Sequence, residues 1–149
     1  MTSNGGEQKE AGALAGARVL IIEDTPQNLR LFRAVLRLEG AEVLEADRAA
    51  AGIEIAGRER PDIILMDIQM PEMDGLEATR RLRRDDATRA IPIIAVTASV
   101  LDADRHHIIA AGCDGYIPKP IDPARFGGQI AAYLRGSGAQ MTTKKEQTA

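Results

Sequence analysis

The sequence predicts an α/β fold, a doubly wound five-stranded parallel sheet of the (βα)5 type, and three observations carry that expectation. Short apolar runs alternate along the chain with segments of helical length, the pattern of parallel strands covered on both faces. The run Ile63-Ile64-Leu65-Met66 is unbroken until it meets Asp67, with Ile68-Gln69-Met70-Pro71 following, as expected of a strand buried on both sides that ends in a loop. At 149 residues, with 3% aromatics and no tryptophan, the chain suits one domain with an aliphatic core.

The elements follow in order. Strand one covers 18–22, and Thr25-Pro26 reads as a helix cap with proline at the first helical position. Leu29, Phe32, Val35 and Leu36 keep helical spacing until Gly40 stops the helix. Glu42 to Glu45 forms a short second strand, and a weakly periodic helix from Ala49 to Gly57 turns Ile53 and Ala56 inward. Pro61-Asp62 opens strand three. After the Met70–Asp74 loop, Gly75 leads into a helix with Leu76, Thr79 and Leu82 on one stripe. Pro92 opens strand four, Ile93-Ile94-Ala95-Val96, and a helix near 101–111 follows. Gly112-Cys113-Asp114-Gly115 turns into strand five, and the last helix spans about 123–134. Residues 17–135 thus form the domain. Residues 1–16, rich in Gly, Glu, Gln and Ala, and the polar residues 136–149 are expected to be disordered tails.

Four of these runs end alike: strand one in Glu23-Asp24, strand three in Asp67, strand four in Thr97, and Tyr116-Ile117-Pro118 in Lys119. Open parallel sheets bind ligands outside the carboxyl ends of their strands. Alone, each residue has an ordinary reading as a turn-former, helix cap or solvated loop residue. Together they point to one crevice. The strand order 2-1-3-4-5 is adopted by analogy with flavodoxin-like sheets rather than from spacing. It sets strands one, three and four side by side, with Lys119 on the neighbouring edge strand.

Composition narrows the functional classes. A net charge of −3 gives no global basic field for nucleic acid or an anionic membrane. No window approaches the roughly 20 apolar residues of a membrane helix, and the N-terminus lacks the pattern of a signal peptide. The single cysteine, Cys113, leaves no internal disulfide and suits a reducing cytoplasm.

Glu23, Asp24 and Asp67 sharing a crevice would repel one another unless a cation neutralised them. Hard oxygens without nearby His or Cys suit Mg²⁺ and argue against zinc. A carboxylate beside Mg²⁺ can act as nucleophile in phosphoryl transfer, giving an aspartyl phosphate. Lys119 would supply a point charge, and the Thr97 hydroxyl a directed hydrogen bond.

The motifs Ile22-Glu23-Asp24, Met66-Asp67-Ile68-Gln69-Met70-Pro71 with Asp74-Gly75, Val96-Thr97-Ala98 and Lys119-Pro120 resemble those of a response-regulator receiver domain of two-component signalling. The resemblance covers about residues 17–135, and the combination is highly specific. It implies that Asp67 accepts a phosphoryl group from a histidine kinase or histidine phosphotransfer protein. It implies that Glu23, Asp24, Asp67 and the backbone carbonyl of Gln69 hold Mg²⁺, that Lys119 and Thr97 contact the phosphoryl group, and that the Lys119–Pro120 bond is cis. Tyr116 matches the switch aromatic that turns inward as Thr97 moves. Gln69 and Ser99 match positions that tune phosphoryl lifetime. The switching surface would span helix four, strand five and helix five, where family members often pair on activation. With only a short tail after Arg135, a stand-alone receiver of the cell-division or chemotaxis type is expected, acting on a downstream protein or in a phosphorelay.

Other features carry the plainer reading. His106 and His107 are expected on an exposed face of helix four, Cys113 as a small buried filler, and Met66, Met70 and Met73 as gap-filling side chains. Arg80-Arg81 and Arg83-Arg84 are expected on a solvated helical face. A phosphatase or phosphotransferase using Asp67 would want a second acid where Gln69 stands. A flavin carrier would want a Ser/Thr/Gly-rich loop after strand one and aromatics to stack the ring.

Overall fold

The computed structural model describes residues 12–98 and 101–135. Five strands, β1 (Arg18–Ile22), β2 (Glu42–Ala46), β3 (Ile63–Asp67), β4 (Ile93–Thr97) and β5 (Gly115–Pro118), form one parallel sheet in the order β2-β1-β3-β4-β5. Five helices alternate with them: α1 (Pro26–Leu38), α2 (Ala49–Glu59), α3 (Gly75–Arg84), α4 (Asp102–Ala111) and α5 (Pro123–Arg135). The adopted strand order is the one observed.

The period-two geometry of a strand divides the core in two. Val19, Ile21, Ile63, Leu65, Ile94 and Val96 face α1 and α5, while Leu20, Ile22, Ile64, Met66, Ile93 and Ala95 face α2, α3 and α4. All five residues of β3 and of β4 are buried, which explains their unbroken apolar runs. Phe32 of α1 and Phe126 of α5 meet with ring centroids 5.3 Å apart and tilted by 35°, within the range in which aromatic pairs attract.

Small residues set the spacing elsewhere. Helix α2 buries Ala49, Gly52 and Ala56, and Ile53 is half-buried, so its inward stripe has little volume and its periodicity is faint. A Cβ on Gly52 would lie 2.4 Å from Ile22 Cδ1, so the glycine lets α2 close on β1.

Residues 12–16 differ from the expected disordered lead-in. They form a turn against the C-terminal end of α1, with the Leu14 amide donating to Glu39 O at 2.9 Å and the Ala13 amide to Glu39 Oε1 at 3.0 Å. Leu14 is buried in the α1/α5 core. Gly12, at φ 81°, adopts the left-handed region, and a Cβ there would strike the Glu39 backbone. Most of the expected N-terminal tail, all of the expected C-terminal tail, and Ser99 lie outside the described residues.

Candidate functional site

The strand order brings the C-terminal ends of β1, β3 and β4 together. Ile22 is paired with Met66 and Asp67 with Val96, so Glu23-Asp24, Asp67 and Thr97 leave the sheet within one register step of each other. The Lys119 amide donates to Thr97 O at 2.8 Å, which carries the chain from β5 over the same edge. The Lys119–Pro120 bond is cis.

One carboxylate oxygen from each of Glu23, Asp24 and Asp67 lies within 4.8 Å of the others. Glu23 is 1% exposed and Asp67 4% exposed, so two of three like charges are almost out of water. Lys119 Nζ stands 3.2 Å from Asp67 Oδ1 and 3.1 Å from Glu23 Oε1. The Gln69 amide donates to Asp67 Oδ1 at 3.2 Å and the Thr25 amide to Glu23 Oε2 at 3.1 Å. Thr25 precedes α1 at the cap position, but its side chain makes no capping bond; Glu23 holds the turn from below. Burial, and then the neighbouring Glu23 charge, push the Asp67 carboxyl up to about 7, and Lys119 opposes them only in part. Glu23 Oε1 is buried and accepts no hydrogen bond, the Lys119 ammonium being its ion-pair partner. An oxygen-only donor set with excess negative charge, and a buried carboxylate oxygen that accepts no hydrogen bond, fits a hard divalent cation.

The loop after β3 is held by its own backbone. Asp74 caps α3, its Oδ1 accepting from the Glu77 amide at 2.9 Å. Gly75 donates to Ile68 O at 3.0 Å, and Thr79 Oγ1 donates back to Gly75 O at 2.8 Å. A Cβ on Gly75 would lie 2.4 Å from Asp67 O and 2.9 Å from Ile68 Cα, backbone atoms that cannot step aside. Gly75→Ala is therefore expected to cost about 1–3 kcal/mol of stability and to shift the β3–α3 loop, readable as a lower denaturant midpoint.

Tyr116 is half-buried at the α4–β5 junction, with the Arg105 guanidinium 5.1 Å from its ring centroid. Nothing in the sequence marks Arg105, one charged residue in a polar helix, as the cover of that ring. His106 and His107 are both exposed. His107 also lines a small cleft with Ile68, Gln69, Leu76, Thr97, Asp104 and Ile108, so its face of α4 borders Gln69 and Thr97 beside the site. Cys113 is buried, 3.7 Å from Thr79 Oγ1, and burial pushes its thiol up to about 11; it fills space as expected. Met66 and Met70 are buried and Met73 packs at the edge of the same core. Arg83 departs from the expected solvated face: its guanidinium donates to Gly112 O at 2.9 Å, Arg89 O at 2.8 Å, Ile91 O at 2.7 Å and Asp114 Oδ2 at 2.8 Å.

Fold and site together define a class, a doubly wound α/β protein with a cation-ready carboxylate cluster and a lysine at the C-terminal edge of its sheet. Residues 19–131 match the response regulator receiver domain, and the chain belongs to that family. It is 44% identical over 116 residues to the polar-differentiation response regulator DivK of Brucella anthropi, covering 78% of this chain and 94% of that protein. Among solved structures it resembles the receiver domain of the sensor histidine kinase PA1611 from Pseudomonas aeruginosa, which has a magnesium ion coordinated in its active site cleft. That match has 36% identity and a TM-score of 0.75, over 80% of this chain and 98% of that one. It also resembles the Vibrio cholerae chemotaxis protein CheY4, at 26% identity and a TM-score of 0.74, over 78% and 97%. No helix among the described residues is long and apolar enough to cross a membrane.

Proposed function

We propose that this receiver works as a single-domain response regulator, taking a phosphoryl group on Asp67 from a histidine kinase or histidine phosphotransfer protein. The observation that carries this reading is the placement of Asp67. Its carboxylate is nearly buried, lies with Glu23 and Asp24 in one cluster, and has Lys119 Nζ at 3.2 Å.

In the proposed transfer, an Asp67 carboxylate oxygen bonds to phosphorus as the bond from phosphorus to the donor's imidazole nitrogen breaks, and the electron pair leaves with the imidazole. Glu23, Asp24, Asp67 and the Gln69 carbonyl are the residues that would hold Mg²⁺, which when bound offsets the negative charge of the incoming phosphoryl oxygens. Lys119 already stands at the acceptor oxygen and Thr97 ends the adjacent strand, so both reach the phosphoryl group with little rearrangement. Movement of Thr97 toward the phosphoryl oxygens would free space for the Tyr116 ring, and the α4–β5–α5 surface would change with it. That surface would then bind a downstream protein, pass phosphate along a relay, or pair with a second copy. Protein partners rather than nucleic acid, and a cytoplasmic setting, follow from the same reading. Gln69 and Ser99 would tune the lifetime. The self-catalysed gain and loss of phosphate is the only chemistry assigned; the family is one of signalling proteins.

The test is transfer from a panel of labelled histidine kinases onto wild type and Asp67→Asn. Wild type is expected to take label in Mg²⁺ and lose that capacity with EDTA, and Asp67→Asn to take none. Label retained by Asp67→Asn would mean that the acceptor lies elsewhere.

A further inference from the structure

The β3–α3 loop and α4 enclose a cleft of about 80 Å³ that the phosphoacceptor assignment leaves without a role. Its wall is mixed. Ile68, Leu76 and Ile108 are apolar, while Gln69, Thr97, Asp104 and His107 are polar. Two of those polar residues tie it to the site: the Gln69 backbone amide donates to Asp67 Oδ1 at 3.2 Å, and Thr97 ends the strand beside Asp67. The other two come from α4, at i and i+3, so they share one helix face. Next to His107, Ile108 is 1% exposed, which fixes the azimuth of that face toward the β3–α3 loop. A cleft of this size, with four polar residues in its wall, has room for about two waters.

We propose that this cleft supplies the water that hydrolyses phosphorylated Asp67, and that His107 is a positioning residue for it. The proposal rests on Asp67 being the phosphoacceptor. In the step, the water oxygen bonds to phosphorus while the bond from phosphorus to the Asp67 carboxylate oxygen breaks. The electron pair of that bond returns to the carboxylate, and the two water protons leave on inorganic phosphate, which exchanges them with solvent. His107, which can both donate and accept a hydrogen bond, orients the water from the α4 side, and Gln69 borders it from the loop. Orientation of a nucleophile is sensitive to displacements near 1 Å, so a residue on α4 sets the phosphoryl lifetime without touching the acyl phosphate. When α4 shifts during switching, the same contact lets the conformational state alter the rate of its own decay.

The experiment follows label loss from the phosphorylated full-length chain, loaded with acetyl phosphate in Mg²⁺ and then freed of donor. His107→Ala is expected to lengthen the lifetime about fivefold or more, with the loading rate, Mg²⁺ affinity and melting temperature unchanged. His107→Gln, which keeps a donor and an acceptor, is expected to recover at least half of the lost rate on a logarithmic scale. His106→Ala, whose side chain is absent from the cleft wall, is expected to match wild type. Lifetimes within twofold of wild type for His107→Ala overturn the proposal, as does an equal effect of His106→Ala or no recovery with His107→Gln. A wild type that accepts no label overturns the phosphoacceptor reading and this proposal with it; normal loading with an unchanged lifetime overturns this proposal alone.

Discussion

Asp67→Asn is expected to make the metal-free protein more stable at pH 8, by on the order of 3 kcal/mol. The direction is contrary to the usual cost of altering a buried polar residue, and it follows from the charge cluster. Burial and Glu23 push the Asp67 carboxyl from 3.8 up to about 7, so ionising it inside the fold is unfavourable despite Lys119. Asparagine keeps the shape and the acceptor oxygen for the Gln69 amide while removing that charge. Lys119 is not stranded by the change, because Glu23 Oε1 remains 3.1 Å away. The sign with pH is fixed by linkage. The folded carboxyl holds its proton to higher pH than the unfolded one, so between about pH 4 and 7 the native state binds more protons and wild-type stability falls as pH rises. Above about 7 the penalty is complete; below about 4 both states are protonated and the two proteins converge. Thermal melts across that range, in EDTA, read the gap directly. Added Mg²⁺ is expected to close it by raising the wild-type midpoint, more at pH 8 than at pH 5.5, and to move Asp67→Asn little. A variant less stable than wild type at pH 8 would mean that Lys119 fully offsets the buried charge.

The site itself is legible in the sequence because it sits where strands end. A strand buried on both faces shows as an unbroken apolar run, so its end is easy to find, and the first polar residue after or at the ends of β1, β3 and β4 (Glu23, Asp67 and Thr97) falls at the same edge of the sheet. Once the strand order is granted, Glu23, Asp24, Asp67 and Thr97 converge without further information. What the sequence conceals lies beside the buried stripes. His107 precedes the buried Ile108, and Arg83 follows the buried Leu82. Neighbours on a helix differ by about 100°, so each lies at the margin of an inward face. Whether such a residue meets solvent or protein depends on what stands opposite, here the β3–α3 loop for His107 and the turn before β5 for Arg83. Leu14 was hidden for another reason: a single leucine among Ala and Gly has no period, and its place is set by the Glu39 carbonyl and carboxylate that hold its turn. Gly52 and Gly75 show the converse, where the absence of a side chain lets α2 reach Ile22 and α3 reach the end of β3.

Arg83→Ala is expected to destabilise the fold by about 3 kcal/mol, far more than the same change at Arg80, Arg81 or Arg84. One guanidinium joins three separate pieces of chain. It holds the C-terminal end of α3 to the Arg89 and Ile91 carbonyls that lead into β4, and to Gly112 and Asp114 in the turn that leads into β5. Asp114 Oδ2 also accepts from the Ile93 amide at 2.9 Å, so the pair fixes where β4 begins as well as where β5 begins. Arg83 and Asp114 are only 22% and 24% exposed, which separates this pair from the surface pair of Arg81 with Glu77, at 54% and 37%. Lysine is expected to restore less than half of the loss, since an ammonium on a flexible stem cannot reach carbonyls on opposite sides as a planar fork does. Asp114→Asn, which keeps a carbonyl oxygen for both donors, is expected to cost about 1 kcal/mol, the difference between a charged and a neutral acceptor. The double variant then discriminates the causes: strong coupling, with the double costing little more than Arg83→Ala alone, means the salt bridge dominates, and additivity means the three carbonyl bonds do. Denaturant unfolding of the four proteins measures it. Because β4 and β5 carry Thr97 and Lys119 to the site, a loosened Arg83 is expected to lower Mg²⁺-dependent phosphoryl loading along with stability, while Arg81→Ala leaves both near wild type.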